Sequence, residues 1–255
     1  MTRHYFGNSR EPFTLTVGGR KLYILTSPEH VAEVYKNNVT LSWDAMLNEL
    51  LLGFGVSNEV IPRLWEKLPK EVLAKGRDDI DPSKVPHISA IHSTLDLYKR
   101  QLLPGPRFEI INDSLTGYID HYLEWSELTN AYKSQSGNSI NNLSLSALCS
   151  DVLVGAVTKS FFGPGIYEIE PNMTKALLDF NQDAWMLVFQ YPQGPNSRLK
   201  KARRRILDAF ENQIEGPEEL RAGQAWLLRT VMDEQEAIGI SAADRAAMML
   251  MIYWA

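Results

Sequence analysis

Thiols are nearly missing from this chain: Cys149 is the one cysteine in 255 residues. A single cysteine excludes an intrachain disulfide and a zinc centre built from several thiolates. It fits a reducing compartment or a cytosol-facing domain. A basic excess is missing too. Lys and Arg number 26 against 31 Asp and Glu, a formal net charge of −5, so no overall positive field speaks for nucleic acid. Met1 to Glu11 is polar and mixed, with no apolar run behind it, which argues against a signal peptide or a transmembrane anchor there. Ala246 to Ala255 is wholly apolar, but its ten residues are too few to span a bilayer. Internal repeats and low-complexity tracts are absent. Gly163-Pro164-Gly165 contains a proline and lacks the lysine of a phosphate loop. No Gly-x-Ser-x-Gly elbow offers a nucleophilic serine. His87 and His92 stand five apart and do not share a helical face, and His4, His30 and His121 are isolated, so no metal site is expected.

What is present describes a folded, largely helical protein. Apolar residues make up 44% and charged residues 22%, which is ordinary for a globular chain and excludes disorder throughout. Phe13 to Val17 alternates apolar and polar residues, and Gly18-Gly19 separates it from Arg20 to Leu25. That pattern predicts a β-hairpin. Ser27-Pro28-Glu29 then supplies a cap, a first-turn proline and an acid at the positive dipole end. Val31, Val34 and Tyr35 form the apolar face of the helix that follows.

From there the pattern predicts helices almost throughout. They are expected at Trp43 to Leu52 (ending at Gly53), near Asn58 to Leu68, at Ser89 to Leu103, and along a face of Phe108, Ile111, Leu115, Tyr118 and Tyr122. Ala74 to Pro86 and Asn130 to Asn142 read as loops. Ser144 to Phe162 is apolar on so broad a face that a largely buried helix is expected, with Cys149 a small core residue within it. Further helices are predicted at Pro171 to Gln190, Arg198 to Ile214, Pro217 to Ala237 and from Ser241, where Asp244 is placed for a capping-box-like contact. Met248 to Trp254 needs a surrounding core, and no cap closes the helix. The natural fold is therefore expected to continue past Ala255. The alternative is a helix packed inside a complete domain.

The order of these elements resembles the cytochrome P-450 family, over nearly the whole chain. Phe13 to Tyr35 resembles its first hairpin and B helix. His92-Ser-Thr-Leu-Asp-Leu-Tyr-Lys-Arg-Gln-Leu-Leu-Pro-Gly105 resembles the C helix, and Asp151 to Phe161-Phe162-Gly163 the E helix. Residues 171–214 resemble the F and G helices, and Ser241 to Ala255 the start of the long I helix. The resemblance implies a mainly α chain with a small amino-terminal hairpin. It would be the amino-terminal half of a eukaryotic microsomal enzyme, one incomplete domain over 1–255 that stops within the I helix. Its parts would be hairpin and B helix at 13–38, B–C region at 39–88, C to H helices at 89–237, and start of I helix at 241–255.

The implied activity is haem-dependent hydroxylation of an apolar small molecule: a lipid, a sterol or a secondary metabolite. The implied partners are that substrate and a redox partner such as an NADPH-dependent reductase, with no nucleic acid. The implied place is the cytosolic face of the endoplasmic reticulum membrane. The family's acid–threonine pair, its Glu-x-x-Arg motif and its haem-ligating cysteine loop have no counterpart here, nor does its membrane anchor. Since the thiolate drives O–O cleavage, the chain is expected to be inactive alone, with no catalytic residue of its own.

In the family a C-helix arginine, four residues after a tryptophan, meets a haem propionate. No tryptophan stands in that segment here, and Lys99 or Arg100 would take the role; the alternative is a solvated basic face. Arg198 to Arg205 holds six cations in eight residues. They would meet anionic lipid headgroups at a membrane surface or form a solvated helix face. A second reading of the whole chain is a helical module without catalysis that holds an apolar ligand between its helices.

Overall fold

The computed structural model describes residues 10–17, 19–37, 40–131, 144–189, 191–195 and 197–254. Strands β1 (Phe13–Val17) and β2 (Arg20–Ile24) pair antiparallel, from Phe13 opposite Ile24 to Val17 opposite Arg20. Gly19 takes a positive φ of 82° at the turn, as the glycine signal predicts. Helix α1 (Pro28–Lys36) follows with its proline in the first turn. Two expectations fail here. Ser27 does not cap, because its hydroxyl donates to the Glu29 carboxylate instead of accepting a backbone N–H. Val31, Val34 and Tyr35 are exposed, since nothing among the described residues packs over that face.

Helix α2 (Asp44–Phe54) runs through Gly53, which faces Leu187, and ends at Gly55, where φ is 117°. The positive φ, not glycine as such, sets the end. Short helices α3 (Ile61–Trp65) and α4 (Lys70–Lys75) come next, with a 3-10 turn at Pro82–Lys84 inside the stretch expected to be loop. Helix α5 (Ala90–Leu102) is capped by Ser89, whose hydroxyl accepts the His92 N–H at 3.3 Å. Pro106 then opens α6 (Pro106–Leu123), and α7 (Trp125–Ala131) follows. The polar loop expected at Asn130 to Asn142 lies almost wholly outside the described residues.

Helix α8 (Leu145–Phe162) packs against α6. It is not the buried helix expected. Burial is confined to its carboxy-terminal part, from Val152 to Phe162, while Leu145, Leu153 and Val157 are exposed. Cys149 is exposed as well, so it is not a core residue. The apolar residues surround the helix, but neighbours approach it from one side only. Gly163 and Gly165 end it for a steric reason. A Cβ on either would lie 2.4 Å from the Ala222 carbonyl oxygen or 2.5 Å from that of Leu220. The segment around residues 220–224 therefore closes onto this turn, held by Ala225 N–H to Phe161 O at 2.9 Å.

After α9 (Ile166–Ile169), the predicted helix from Pro171 to Gln190 is two, α10 (Met173–Asp183) and α11 (Trp185–Val188), broken at Ala184. Helix α12 (Arg198–Glu215) is capped by Ser197. The helix expected from Pro217 is a 3-10 turn (Glu218–Arg221) and then α13 (Trp226–Ala237), separated at Gly223, which has a φ of 77°. Helix α14 (Ala242–Trp254) completes the described chain. The fold is thus mainly helical with a two-stranded amino-terminal hairpin.

Two apolar clusters form the interior. One gathers Phe54, Phe162, Phe180, Phe210 and Tyr253, with the Phe162 and Phe210 rings stacked at 4.9 Å. The other gathers Leu51, Ile61, Leu64, Leu73, Ile91 and Met248. Helix α14 supplies side chains to both. The core that its apolar residues are expected to need is thus supplied, at least in part, by the described residues. Met248, Met249, Leu250 and Tyr253 are buried, while Met251, Ile252 and Trp254 are half-buried. Each large side chain removed from water contributes roughly 1.5–3 kcal/mol.

Candidate functional site

Helices α2, α5 and α14 leave a cavity of about 340 Å³ between them. Its lining follows helical periodicity. Ile91, Thr94, Leu95 and Tyr98 recur at i, i+3, i+4 and i+7 on α5, so they share one face. Leu47 comes from α2, and Met248, Met251 and Ile252 come from α14. No charged side chain lines it. Of the two hydroxyls, that of Thr94 donates to the Ala90 carbonyl at 2.9 Å. Burial pushes the Tyr98 phenol up to about 12, so it stays neutral at physiological pH. The methionines give the wall an adaptable, polarisable surface. Such a groove can hold a neutral apolar group; it has no acid or base with which to act on one.

The cations proposed from the sequence lie beside this groove, not in its lining. Arg100 is nine residues beyond Ile91, half a turn round the helix. Its guanidinium is engaged there by Asp96 at 2.9 Å and Asp79 at 3.1 Å. Arg107 also binds Asp79 at 3.1 Å. Burial raises the Asp79 carboxyl, but the Arg107 bond, a backbone bond and the charges of Arg107 and Arg100 outweigh it and hold the group below its usual range. Lys99 is exposed, one residue past Tyr98, and makes no ion pair among the described residues. It borders the same solvent-facing cleft as Arg100 and Arg107.

The basic run on α12 is largely tied down. Arg198 pairs with Asp183 at 3.0 Å, Arg205 with Glu170 at 2.8 Å and Arg204 with Asp208 at 3.7 Å. Arg203 donates to the Gly53 carbonyl, and burial lowers its pKa. Lys200 donates to the Gln193 carbonyl at 3.5 Å, so five of the six cations are engaged by the protein itself, and the run is not a uniformly free basic surface. By length and composition, α8 is apolar enough to cross a bilayer. Core helices meet the same criterion, and the carboxy-terminal part of α8 is packed inside the protein.

Sequence reasoning missed Arg77. It is fully buried and ties α4, α5 and α13 together. Its guanidinium meets Glu234 at 2.6 Å, Asp96 at 3.1 Å, the Ser93 hydroxyl at 2.6 Å and the Leu73 carbonyl at 2.9 Å. Burial raises the Glu234 carboxyl, and the bonds from Ser93 and Arg77 only partly offset that. An arginine in a loop rich in Gly and Asp carries no sequence signal for such a role. The network fixes one side of α5 and so leaves the face of Ile91, Leu95 and Tyr98 turned to the groove.

The apolar wall suits the face of a haem macrocycle, but the described residues do not supply the axial thiolate. Cys149 is exposed on α8, which contributes nothing to the groove. Among the described residues no three His, Cys, Asp or Glu side chains are grouped to hold a metal ion.

No family model matches the chain. Over 250 residues, 94% of its length, it is 24% identical to the cytochrome P450 monooxygenase poxD of Penicillium oxalicum, and the match covers 44% of that protein. The chain is similar over nearly all of its length to a cytochrome P450 monooxygenase, and it spans less than half the length of that relative.

Proposed function

We propose that this chain is the amino-terminal portion of a haem-dependent monooxygenase of the eukaryotic microsomal P-450 type, and that it supplies one wall of an apolar pocket. The observation that carries the reading is the uncharged groove between α2, α5 and α14. It lies on the two helices whose sequences resemble the family's C and I helices. The similarity to a P450 monooxygenase over most of the chain supports the same reading.

In this role Leu95, Met248, Met251 and Ile252 bind and orient an apolar molecule and exclude water from it, while the neutral Tyr98 closes one end. The substrate class is a lipid, sterol or secondary metabolite. Haem, when bound in such a fold, supplies oxygen activation. Lys99, unpaired and adjacent to the groove, is the cation proposed to meet a propionate. Arg100 would first have to leave Asp96 and Asp79. An NADPH-dependent reductase as electron donor and a cytosol-facing membrane surface complete the proposal.

The chain alone is proposed to be inactive, because Cys149 stands outside the groove. Haemin titration followed by reduction under carbon monoxide tests this. No thiolate-type difference band is expected, and its appearance would overturn the proposal. An apolar fluorescent probe tests the groove itself. It should bind saturably and lose most of its affinity in Leu95→Asp. Saturable binding without any haem-dependent signal, together with cooperative unfolding, would favour the helical ligand-binding module instead.

A further inference from the structure

A second cavity, also about 340 Å³, lies between the end of α12, the 3-10 turn at Glu218–Arg221, α13 and the first turn of α14. Its character is opposite to that of the groove. Three guanidiniums line it, from Arg221, Arg229 and Arg245. The Arg245 side chain is only 10% exposed, and one of its terminal nitrogens lies 3.2 Å from Glu236. Its Nε–H is buried without an acceptor. Buried donors are nearly always paired, so an orphan on a cavity wall marks a missing acceptor. Arg229 uses one N–H on the Arg221 carbonyl, at 3.1 Å. Neither Arg221 nor Arg229 forms an ion pair among the described residues.

The carboxylates do not meet this demand. Glu236 is engaged by Arg245. Glu218 is exposed. Asp233 forms no ion pair there either. Burial raises its carboxyl, and the Glu236 charge adds to this against the opposing pull of Arg221, Arg229 and Arg245. The unused hydrogen-bonding capacity of the arginines is thus all donor. Guanidinium forks match oxyanions in geometry and bind them with charge-assisted bonds. Three such forks suit the several oxygens of a phosphate better than the two of a carboxylate.

We propose that this cavity is an oxyanion site for the phosphate group of a small soluble molecule, held by Arg221, Arg229 and Arg245, with Asp233 the opposing charge that limits its affinity. The site is separate from the apolar groove, and its fate does not depend on the P-450 reading.

Isothermal titration of the full chain with inorganic phosphate, at matched chloride, tests it. Saturable binding is expected. Arg221→Gln and Arg229→Gln, both at incompletely buried positions, should each weaken it about tenfold, the typical worth of one charge-assisted contact. Asp233→Asn should tighten it severalfold by removing a repelling charge. Circular dichroism on each variant checks that the fold is retained, and Leu95→Asp in the apolar groove should leave phosphate affinity unchanged. Absence of saturable binding, equal affinity in Arg229→Gln, or weaker binding in Asp233→Asn would each overturn the proposal.

Discussion

Helices α1 and α14 both carry apolar residues, and the structure treats them differently. On α1, Val34 is 41% and Tyr35 84% exposed. On α14, Met249 and Leu250 are fully buried. A stripe of apolar residues specifies which side of a helix is available for packing. Whether a partner arrives there is decided by topology, and topology involves residues far away in sequence. Helix α14 is met by α12, α2 and α13, whereas α1 follows directly on the hairpin and has none of its residues buried.

The widest contrast should appear in side-chain truncation. Phe210→Ala removes a fully buried ring that stacks on Phe162 at 4.9 Å and meets Tyr253 edge-on at 5.8 Å. It should cost about 3–5 kcal/mol. Tyr35→Ala removes an equally large side chain from α1 and should change stability by no more than about 0.5 kcal/mol. Urea denaturation of both variants measures the difference. Comparable losses would mean that α1 packs on something the exposed face does not reveal.

A second test moves from apolar to ionic packing. Glu234→Ala leaves Arg77 buried with one of its two carboxylate partners gone. Stranding a buried charge costs about 3–5 kcal/mol, and Asp96, still 3.1 Å away, should keep the loss near the lower end. Disrupting the exposed Lys36–Glu33 pair on α1 by Glu33→Ala should cost no more than about 0.5 kcal/mol. The same denaturation experiment reads both.

These contrasts show what could be read without coordinates. The hairpin was legible because alternation and Gly18-Gly19 are local signals. The groove-facing residues Leu95 and Tyr98 were not singled out, but the helix that carries them was legible at Ser89 to Leu103, since helical signals are local too. Three kinds of feature were not. The end of α2 depended on the φ of Gly55, and Gly53 offered an identical letter two residues earlier. The break between the 3-10 turn and α13 depended on Gly163 and Gly165 admitting a distant backbone. Arg77 and Glu234 are 157 residues apart, and neither sits in a motif. The exposure of Cys149 belongs with them, because composition showed an apolar helix and could not show from which side its neighbours would come.

Asp244 gives a smaller and pH-dependent effect at the start of α14. Its carboxylate accepts the Ser57 N–H at 2.7 Å and the Ser57 hydroxyl at 2.6 Å, while Ser241 donates to its other oxygen at 2.5 Å. Burial raises its pKa, but these bonds outweigh burial and hold it below the ordinary 3.8. A depressed carboxyl contributes stability that is present above the unfolded value and lost as pH falls through the folded one. Asp244→Asn should therefore cost about 1–2 kcal/mol near neutrality. The gap to the parent chain should narrow only below 3.8. A gap that stayed constant as the pH fell well below 3.8 would show that the carboxylate charge is not what ties residue 57 to α14.

The finest discrimination uses one residue type in two settings. Ser197 accepts the Lys200 N–H at 3.3 Å and so satisfies one of the orphan donors at the start of α12. Ser27 precedes α1 with extended backbone, but the first turn of α1 carries a proline and Glu29 where that of α12 carries no acid, and its hydroxyl is donated to Glu29. Ser197→Ala should cost about 1 kcal/mol, the usual worth of an N-cap. Ser27→Ala should cost only a few tenths, since the buried Ser27 hydroxyl caps no backbone N–H and its exposed partner Glu29 can turn to water instead. Helix α12 is also anchored along its length by Leu199, Ile206 and Phe210, so the lost cap cannot be relieved by fraying. Helix α1 has no buried residue and can fray at little cost. If Ser27→Ala proved as damaging as Ser197→Ala, α1 would have to be held more firmly than its exposed face implies, and the contrast between the two helices would have to be redrawn.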